Sequence, residues 1–592
     1  MILQALVDYY ETLAGQGKIS RPGWGEVKVS FALYINDEGE LEQVASLKVD
    51  QVRKGKTVWV PQKLKLPAPV KRASGISPNF LCDNAGYLLG VDGKGDLQRT
   101  QDCFTQCKAH HQKILSQADS PAARALLAFF DHWEPSRALE HLGLAEHWDD
   151  LLKGDNLVFR YNGGYLHEDA AVRRAWEEYY NTDTENPEMT CLVTGEKSRV
   201  EAVHPAVKGV AGAQSSGAAL VSFNGEAFCS YGRKQGLNAP VSKYAAFAYT
   251  TALNHLLADR EHTKQIGKIT LLFWAASGQA AAQDCFAGFV YGSPSDTYGA
   301  KDLRKMVEDL CQGRPVLYNG DRLDPDMDFY VLGLAPNAAR LSVPFFLHNT
   351  FGGFLENVRQ HYERLEVARA SGDKFETISL WRLLNETLNQ KFKKESSSGD
   401  KKEKKQEPLP HLSEETARAV LENTRYPASL LNGVTLRIRA EQDITQGRAA
   451  ILKAYYLKNP HPDVPKEVLT VALNPDSDSI PYVLGRLFSV LESIQSAANA
   501  GVTTTIKDKY FNSASATPSR IFPTLLNLAQ KHLRKLDGRR KVFYDRQLTE
   551  LCAKLGEEYP DHMNLPQQGA FQLGYYHQTQ QRYQKKEDKE NG

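Results

Sequence analysis

Apolar and polar residues recur along this chain with three different rhythms. At the start, Ile2, Leu3, Leu6, Tyr9, Tyr10 and Leu13 keep helical spacing and Gly15 and Gly17 follow, which predicts an amphipathic helix ending there. The period then shortens. Val27 to Ile35 alternates through β-formers, Asp37-Glu38-Gly39 makes a turn and Leu41 to Val49 returns, so a hairpin is expected, with Thr57 to Pro61 as another short strand. Residues 101 to 181 read as helical, with Asp119-Ser-Pro-Ala as a start signal ahead of Leu126, Leu127, Phe129, Phe130 and Trp133. Strand character returns at Thr190 to Val193, a helix is expected over Val241 to Leu257, and Ile269 to Ala275 is a continuous apolar run of the kind that forms a buried strand. Phe329 to Asn337 is similar. The third rhythm is that of a bundle: Leu484, Leu487, Phe488, Leu491 and Ile494, then Phe522, Leu525, Leu526, Ala529, Leu533 and Leu536, then Tyr544, Leu548, Leu551, Cys552 and Leu555.

These rhythms define an α+β chain, a mixed α/β N-terminal region followed by a C-terminal α-helical bundle. The expected parts are a β-rich region at 1–100, a helical region at 101–189, an α/β region at 190–390, a flexible charged linker or loop at 391–410 and a helical bundle at 411–592. The linker, from Lys391 to Pro410, has almost no apolar content and cannot bury enough surface to order itself.

Composition narrows the function by exclusion. With 592 residues the chain exceeds one cooperative core, and 42% hydrophobic and 24% charged residues are ordinary for a soluble protein. No apolar run is long enough to span a bilayer and the N-terminus lacks a signal-peptide pattern, so a cytosolic protein is expected. Its eight cysteines are scattered and read as free thiols. Cys103 and Cys107 with His110 and His111 approach metal-ligand spacing, but one helical turn explains that spacing better, and no metal is expected. There is no P-loop, no Gly-x-Ser-x-Gly elbow, no His-Glu-x-x-His and no dinucleotide fingerprint, so neither an enzyme nor a cofactor is supported.

A net charge of +1 gives no global sign of a nucleic-acid partner, so the distribution of charge matters. In the bundle, Arg486, Lys507, Lys509, Arg520, Lys531, Arg534, Lys535, Arg539, Arg540, Lys541 and Arg546 face only Glu492, Asp508, Asp537 and Asp545. That local bias suits a groove for a nucleic-acid strand. The proline-punctuated segment Lys63 to Asn79 carries Lys71 and Arg72, which fit phosphate contact or a solvated loop. The densest recognition chemistry lies from His204 to Ser242, where glycines permit close backbone approach and Gln214, Ser215, Ser216, Asn224 and Asn238 carry uncharged donors and acceptors. A glycine-rich turn ahead of a helix fits the same composition.

Several blocks carry a resemblance. The start Met1 to Tyr10, Phe80-Leu-Cys-Asp-Asn with Tyr87, Cys191-Leu-Val-Thr-Gly with His204-Pro, Lys208 to Gly217, Phe228 to Gly232, Phe329 to Arg340, Gly485-Arg-Leu-Phe with Leu491-Glu, and Phe571 to Gln578 resemble the large subunit of the type I-C CRISPR interference complex, the Cascade assembly. The likeness runs from end to end. It implies a non-nuclease subunit that binds double-stranded DNA at a short protospacer-adjacent motif, TTC-like in such systems, and opens the duplex beside it. The guide CRISPR RNA, held by the other Cascade subunits, then pairs with the target strand, and a recruited helicase-nuclease cuts. It also implies a smaller protein made from inside the same gene. After residue 327 the only methionine is Met563, so its start would be a non-methionine codon near Val464, Val468 or Val471. Within the matching blocks, chemistry selects Gln214, Ser215, Ser216, Asn224 and Asn79 as base readers, Lys71, Arg72 and Lys208 as phosphate holders, and the bundle cations as guides of the displaced single strand. Two other classes stay open: a metal-dependent nuclease, and a purely architectural guide-RNA-holding subunit.

Overall fold

The computed structural model describes residues 1–53, 56–70, 72, 75–93, 95–181, 186–260, 262–291, 300–369, 378–389, 408–499, 501, 503–556 and 558–590. An N-terminal mixed α/β region precedes a C-terminal half rich in helices, as the patterning requires. Contacts divide the chain into one unit of Met1–Pro205 with Val221–Ala252 and a second of Ala206–Leu220 with Leu253–Gly592. The region expected at 190–390 is therefore shared between them. Most of the linker expected at 391–410, residues 391–407, lies outside the described residues.

The first unit opens with the helix Ile2–Gly15, which buries Leu6, Tyr9, Tyr10 and Leu13, and Gly17 follows it at φ +70°. The expected strand from Val27 to Ile35 breaks at Ser30 into β1 (Trp24–Val29) and β2 (Phe31–Ile35), which enter different sheets. β2 turns back antiparallel into β3 (Leu41–Ser46), the hairpin predicted from the turn at Asp37-Glu38-Gly39. β4 (Val49–Arg53) and β5 (Lys56–Val60) form a two-stranded ribbon whose described residues are largely exposed, Trp59 at 68%. β6 (Gln62–Pro67) pairs with β1, and β7 (Cys82–Asn84) joins the main sheet.

That sheet runs β3-β2-β8-β7, with β8 (Asn156–Tyr161) parallel to β2 and antiparallel to β7. β8 corrects the reading of 101–181 as helical. Leu157, Val158 and Phe159 are a short apolar run between the turn at Gly154 and the left-handed Asn162-Gly163 pair, and all three are fully buried. Around it the expected helices form: Leu97–Leu115, Pro121–His132 with the Ser120 hydroxyl accepting from the Ala123 N–H at 3.2 Å, and Ala170–Asn181.

The second unit is built on a four-stranded antiparallel sheet, β9 (Lys264–Ile266), β10 (Ile269–Ala275), β11 (Asp328–Asn337) and β12 (Arg340–Thr350). Every residue of β10 is buried, as its unbroken apolar run demands. The helices Ala280–Tyr291 and Ala300–Cys311 intervene between β10 and β11, so the order β, α, β is present but the sheet is antiparallel. The sheet's core continues without a break into the C-terminal helices: one apolar cluster runs from Ile266 to Tyr576. Asn357 donates to the Leu421 carbonyl at 2.7 Å, His361 Nδ1 meets the Tyr426 hydroxyl at 2.6 Å, and the Tyr576 hydroxyl donates to the Ala368 carbonyl at 2.6 Å.

The bundle itself comprises α1 (Ile480–Ala498), α2 (Ile506–Ala516), α3 (Pro518–Leu533), α4 (Gly538–Lys554) and α5 (Leu565–Glu590). α1 and α5 pack with their backbones in contact. A methyl group at Gly485 would collide with the Phe571 carbonyl, and one at Gly574 with the Tyr482 carbonyl. Each helix thus offers a glycine to the other's backbone. Two of the blocks that carry the family resemblance, Gly485 to Phe488 and Phe571 to Gln578, are the two faces of this contact.

Candidate nucleic-acid interface

Residues 206–220 form a loop with a pinned base and an open tip. Val207 and Ala218 exchange two backbone hydrogen bonds, at 2.9 and 2.8 Å. Ala219 donates to the Ala339 carbonyl at 3.0 Å and accepts from Leu341 N–H at 2.9 Å, which ties the outgoing strand to the β11–β12 turn. On the incoming side, Asn254 Oδ1 accepts from Lys208 N–H at 2.7 Å and its amide donates to the Ala206 carbonyl at 3.2 Å, while Thr270 Oγ1 on β10 accepts from Ala211 N–H at 3.2 Å. Gly217 sits at φ +101°, where a Cβ would also lie 2.9 Å from the Ala206 Cβ and the Val207 carbonyl. Only glycine closes this base. Gln214, Ser215 and Ser216 occupy the exposed tip and Lys208 is exposed at the base, so the structure brings these four of the expected site residues together.

Asn224, Asn79 and Arg72 belong to the other unit. There Asp83, 1% exposed, organises the basic loop: its carboxylate binds the Arg72 guanidinium through two N–H groups and accepts from Asn79 N–H and Asn84 N–H at 2.9 Å each. Arg72 lies over the Tyr87 ring at 4.0 Å and also donates to the Ser77 carbonyl at 2.7 Å. The Asn79 side chain accepts from Val70 N–H at 2.9 Å. Arg72 and Asn79, the candidate phosphate and base contacts, therefore also hold the loop's shape. Lys71 lies outside the described residues.

The bundle separates its cations into two kinds. Arg486 is buried: it is 8% exposed and donates to Gln578 Oε1 at 3.2 Å and to the Pro475 carbonyl at 3.1 Å, because on α1 nearly every position from Tyr482 to Ile494 faces the core. Lys507 is half-buried, paired with Asp443 at 3.3 Å and set over the Tyr575 ring. The others, Lys509, Arg520, Lys531, Arg534, Lys535, Arg539, Arg540 and Lys541, are exposed. Six of them, Lys531 to Lys541, flank the single corner between α3 and α4, whereas Arg520 lies at the far end of α3, about 20 Å away along the helix axis. Carboxylates nearby have internal duties. Glu492 accepts from the hydroxyls of Tyr575 at 2.6 Å and Thr505 at 2.8 Å, Asp508 closes the capping box of α2, and Asp537 caps α4 by accepting from Arg540 N–H at 2.9 Å. The corner is left strongly cationic.

The thiols and imidazoles singled out in the sequence have structural partners. His111 Nε2 accepts from Leu81 N–H at 2.9 Å, its Nδ1 lies 2.8 Å from the Cys107 carbonyl, and complete burial lowers its pKa to about 3. Cys191 is buried. That burial raises its thiol pKa but is outweighed by hydrogen bonds from Thr194 and the Ser242 N–H, which bring it down to about 7. Among the described residues no group of three or more His, Cys, Asp and Glu could hold a metal ion, and no helix is long and apolar enough to cross a membrane. Sequence reasoning missed Val542 and Phe543, 69% and 53% exposed on α4. The signal was present: both fall off the inward stripe of Tyr544, Leu548, Leu551 and Leu555.

Together these features give a loop with a pinned base and a polar exposed tip, and a cationic corner between two helices. Residues 6–583 match the family model of CRISPR-associated protein (Cas_Csd1), and the chain belongs to this family. It is a CRISPR-associated, Cascade-type subunit. No curated protein matches the chain.

Proposed function

We propose that the chain is the large subunit of a type I-C surveillance complex that recognises the protospacer-adjacent motif in double-stranded DNA without itself cutting it. The observation that carries this reading is the 206–220 loop. Its base is fixed by paired backbone groups and by Asn254 and Thr270, and its exposed tip presents an amide and two hydroxyls without charge. Such a tip suits hydrogen bonding to base edges, because it loses little conformational freedom on binding and its groups are donors and acceptors at once. Lys208 at the base suits a phosphate, which sets register without reading sequence. The α3–α4 corner then receives the displaced strand through its phosphates, helping the opened duplex persist while the guide RNA pairs. Recruitment of the helicase-nuclease completes the role in antiviral defence. A shorter product beginning near Val464 to Val471 would carry all five bundle helices.

The test is equilibrium binding of the reconstituted complex to duplexes with a matched or a scrambled motif, for wild type and Gln214→Ala/Ser215→Ala at fixed salt. A complex that assembles normally and loses about ten- to a hundredfold of its preference for the matched duplex supports base reading by the loop. Preference that survives the double substitution overturns it. Failure to assemble, with any residual complex still discriminating, would mark the loop as architectural.

A further inference from the structure

α4 has two stripes. Its inward stripe, Tyr544, Leu548, Leu551 and Leu555, packs against the bundle core. The opposite stripe, at positions 539, 542, 543 and 546, follows the same helical spacing and carries Arg539, Val542, Phe543 and Arg546. Val542 is 69% exposed and Phe543 53%. Neither residue is needed to close the core, and both are weaker helix formers than the Lys, Glu or Ala that an outward position usually holds. They form an adjacent apolar pair set among the cations of this face.

The neighbours indicate the ligand's chemistry. Phe543 is bracketed by guanidinium groups, Arg539 four residues before it and Arg546 three after, about 6 Å and 4.5 Å along the helix axis. Arg546 donates to Glu550 at 2.8 Å but is 81% exposed, so that pair is weakly held and exchangeable for a stronger anion. Arg540 is paired with Asp537 at 3.3 Å and 65% exposed, with the same consequence. An aromatic ring with a cation about one turn away on either side matches a nucleotide strand, with a base on the ring and phosphates to either side. It does not match a duplex, whose base faces are covered by stacking.

We propose that the outward stripe of α4 is a stacking platform for unpaired nucleic acid, with Phe543 under a base and Arg539 and Arg546 on the flanking phosphates. It rests on the displaced-strand reading above and deepens it: the bundle holds bases as well as backbone. The platform is tolerant of sequence, since every base has a π face.

The test compares the full-length chain with Phe543→Ala and Phe543→Trp for binding to oligothymidine and to an abasic strand of the same length, by fluorescence anisotropy at matched salt. Phe543→Ala is expected to weaken binding to oligothymidine about five- to a hundredfold and to leave the abasic strand unchanged, with Phe543→Trp restoring the difference. Equal effects on both strands, or none on either, overturn the platform. So does a Phe543→Ala chain that binds both strands normally but no longer co-purifies with the other subunits, which would make the stripe a protein contact. If the wild-type chain binds neither strand, the displaced-strand reading fails and the platform with it.

Discussion

The 206–220 loop and the α3–α4 corner are chemically opposite surfaces. The loop's only charged side chain is Lys208, its tip is Gln214 to Ser216, and its backbone is pinned on both sides. The corner is cationic from Lys531 to Lys541, and its long side chains are exposed. Hydrogen bonds to base edges depend on exact geometry and little on salt, while phosphate contacts release counterions and depend steeply on it. Under the proposed function the chain would discriminate with one region and retain with the other, and the two contributions would be separable by ionic strength.

The comparison is broken most severely by removing the support of one side. Gly574→Ala drives a methyl group into the Tyr482 carbonyl, backbone that cannot swing away, and should cost the bundle about 3 kcal/mol, far above the helix-propensity gain of about 1 kcal/mol. Hydrogen exchange of peptides from α1 and α5 in the full chain should become much faster. Unchanged protection would mean that the helices slide apart at little cost.

A smaller, sharper effect is expected from Arg539→Gln/Arg540→Gln/Lys541→Gln. These exposed substitutions leave the fold alone and should reduce the salt slope of single-strand binding by about 2, while the preference for a matched motif in the reconstituted complex stays as it was. A slope that does not move would place the strand elsewhere on the protein.

Acid gives the smallest effect and touches mainly one side, since the loop has no carboxylate or imidazole. His577, buried on α5 with Nδ1 at 2.9 Å from the Tyr482 hydroxyl, has its pKa lowered by burial from 6.5 to about 4. An unfolded chain then binds the proton first. The neutral ring's contribution is complete above pH 6.5 and is lost as the pH falls toward about 4. His577→Gln should flatten the fall of the melting temperature over that window, and an identical fall in both proteins would assign it to other groups.

How much of this was legible in the sequence depended on the range of the interaction. The bundle stripes, the Ser120 cap and the buried strand β10 are local patterns and are found where periodicity puts them. β8 was hidden because three apolar residues inside a helix-rich stretch give no clear period. The pairing of Arg72 was not legible because its partner Asp83 stands eleven residues away on a strand. Arg486 carried a clue that its charge concealed: from Tyr482 to Leu491 its neighbours on α1 are all buried. The loop at 206–220 was visible as composition, but its pinned base depends on Asn254, Thr270 and the β11–β12 turn, none of which the spacing of glycines reveals.

The unbroken apolar cluster from Ile266 to Tyr576 bears on how the gene can be cut. The lysine-rich tract at 391–407 is the most conspicuous punctuation in the sequence, yet the contacts of Asn357 with Leu421, His361 with Tyr426 and Ala368 with Tyr576 all reach across it. It is a seam in the chain and not in the fold. Cloning to that seam would divide a single hydrophobic interior, so each fragment would carry a face that was made to be covered by the other.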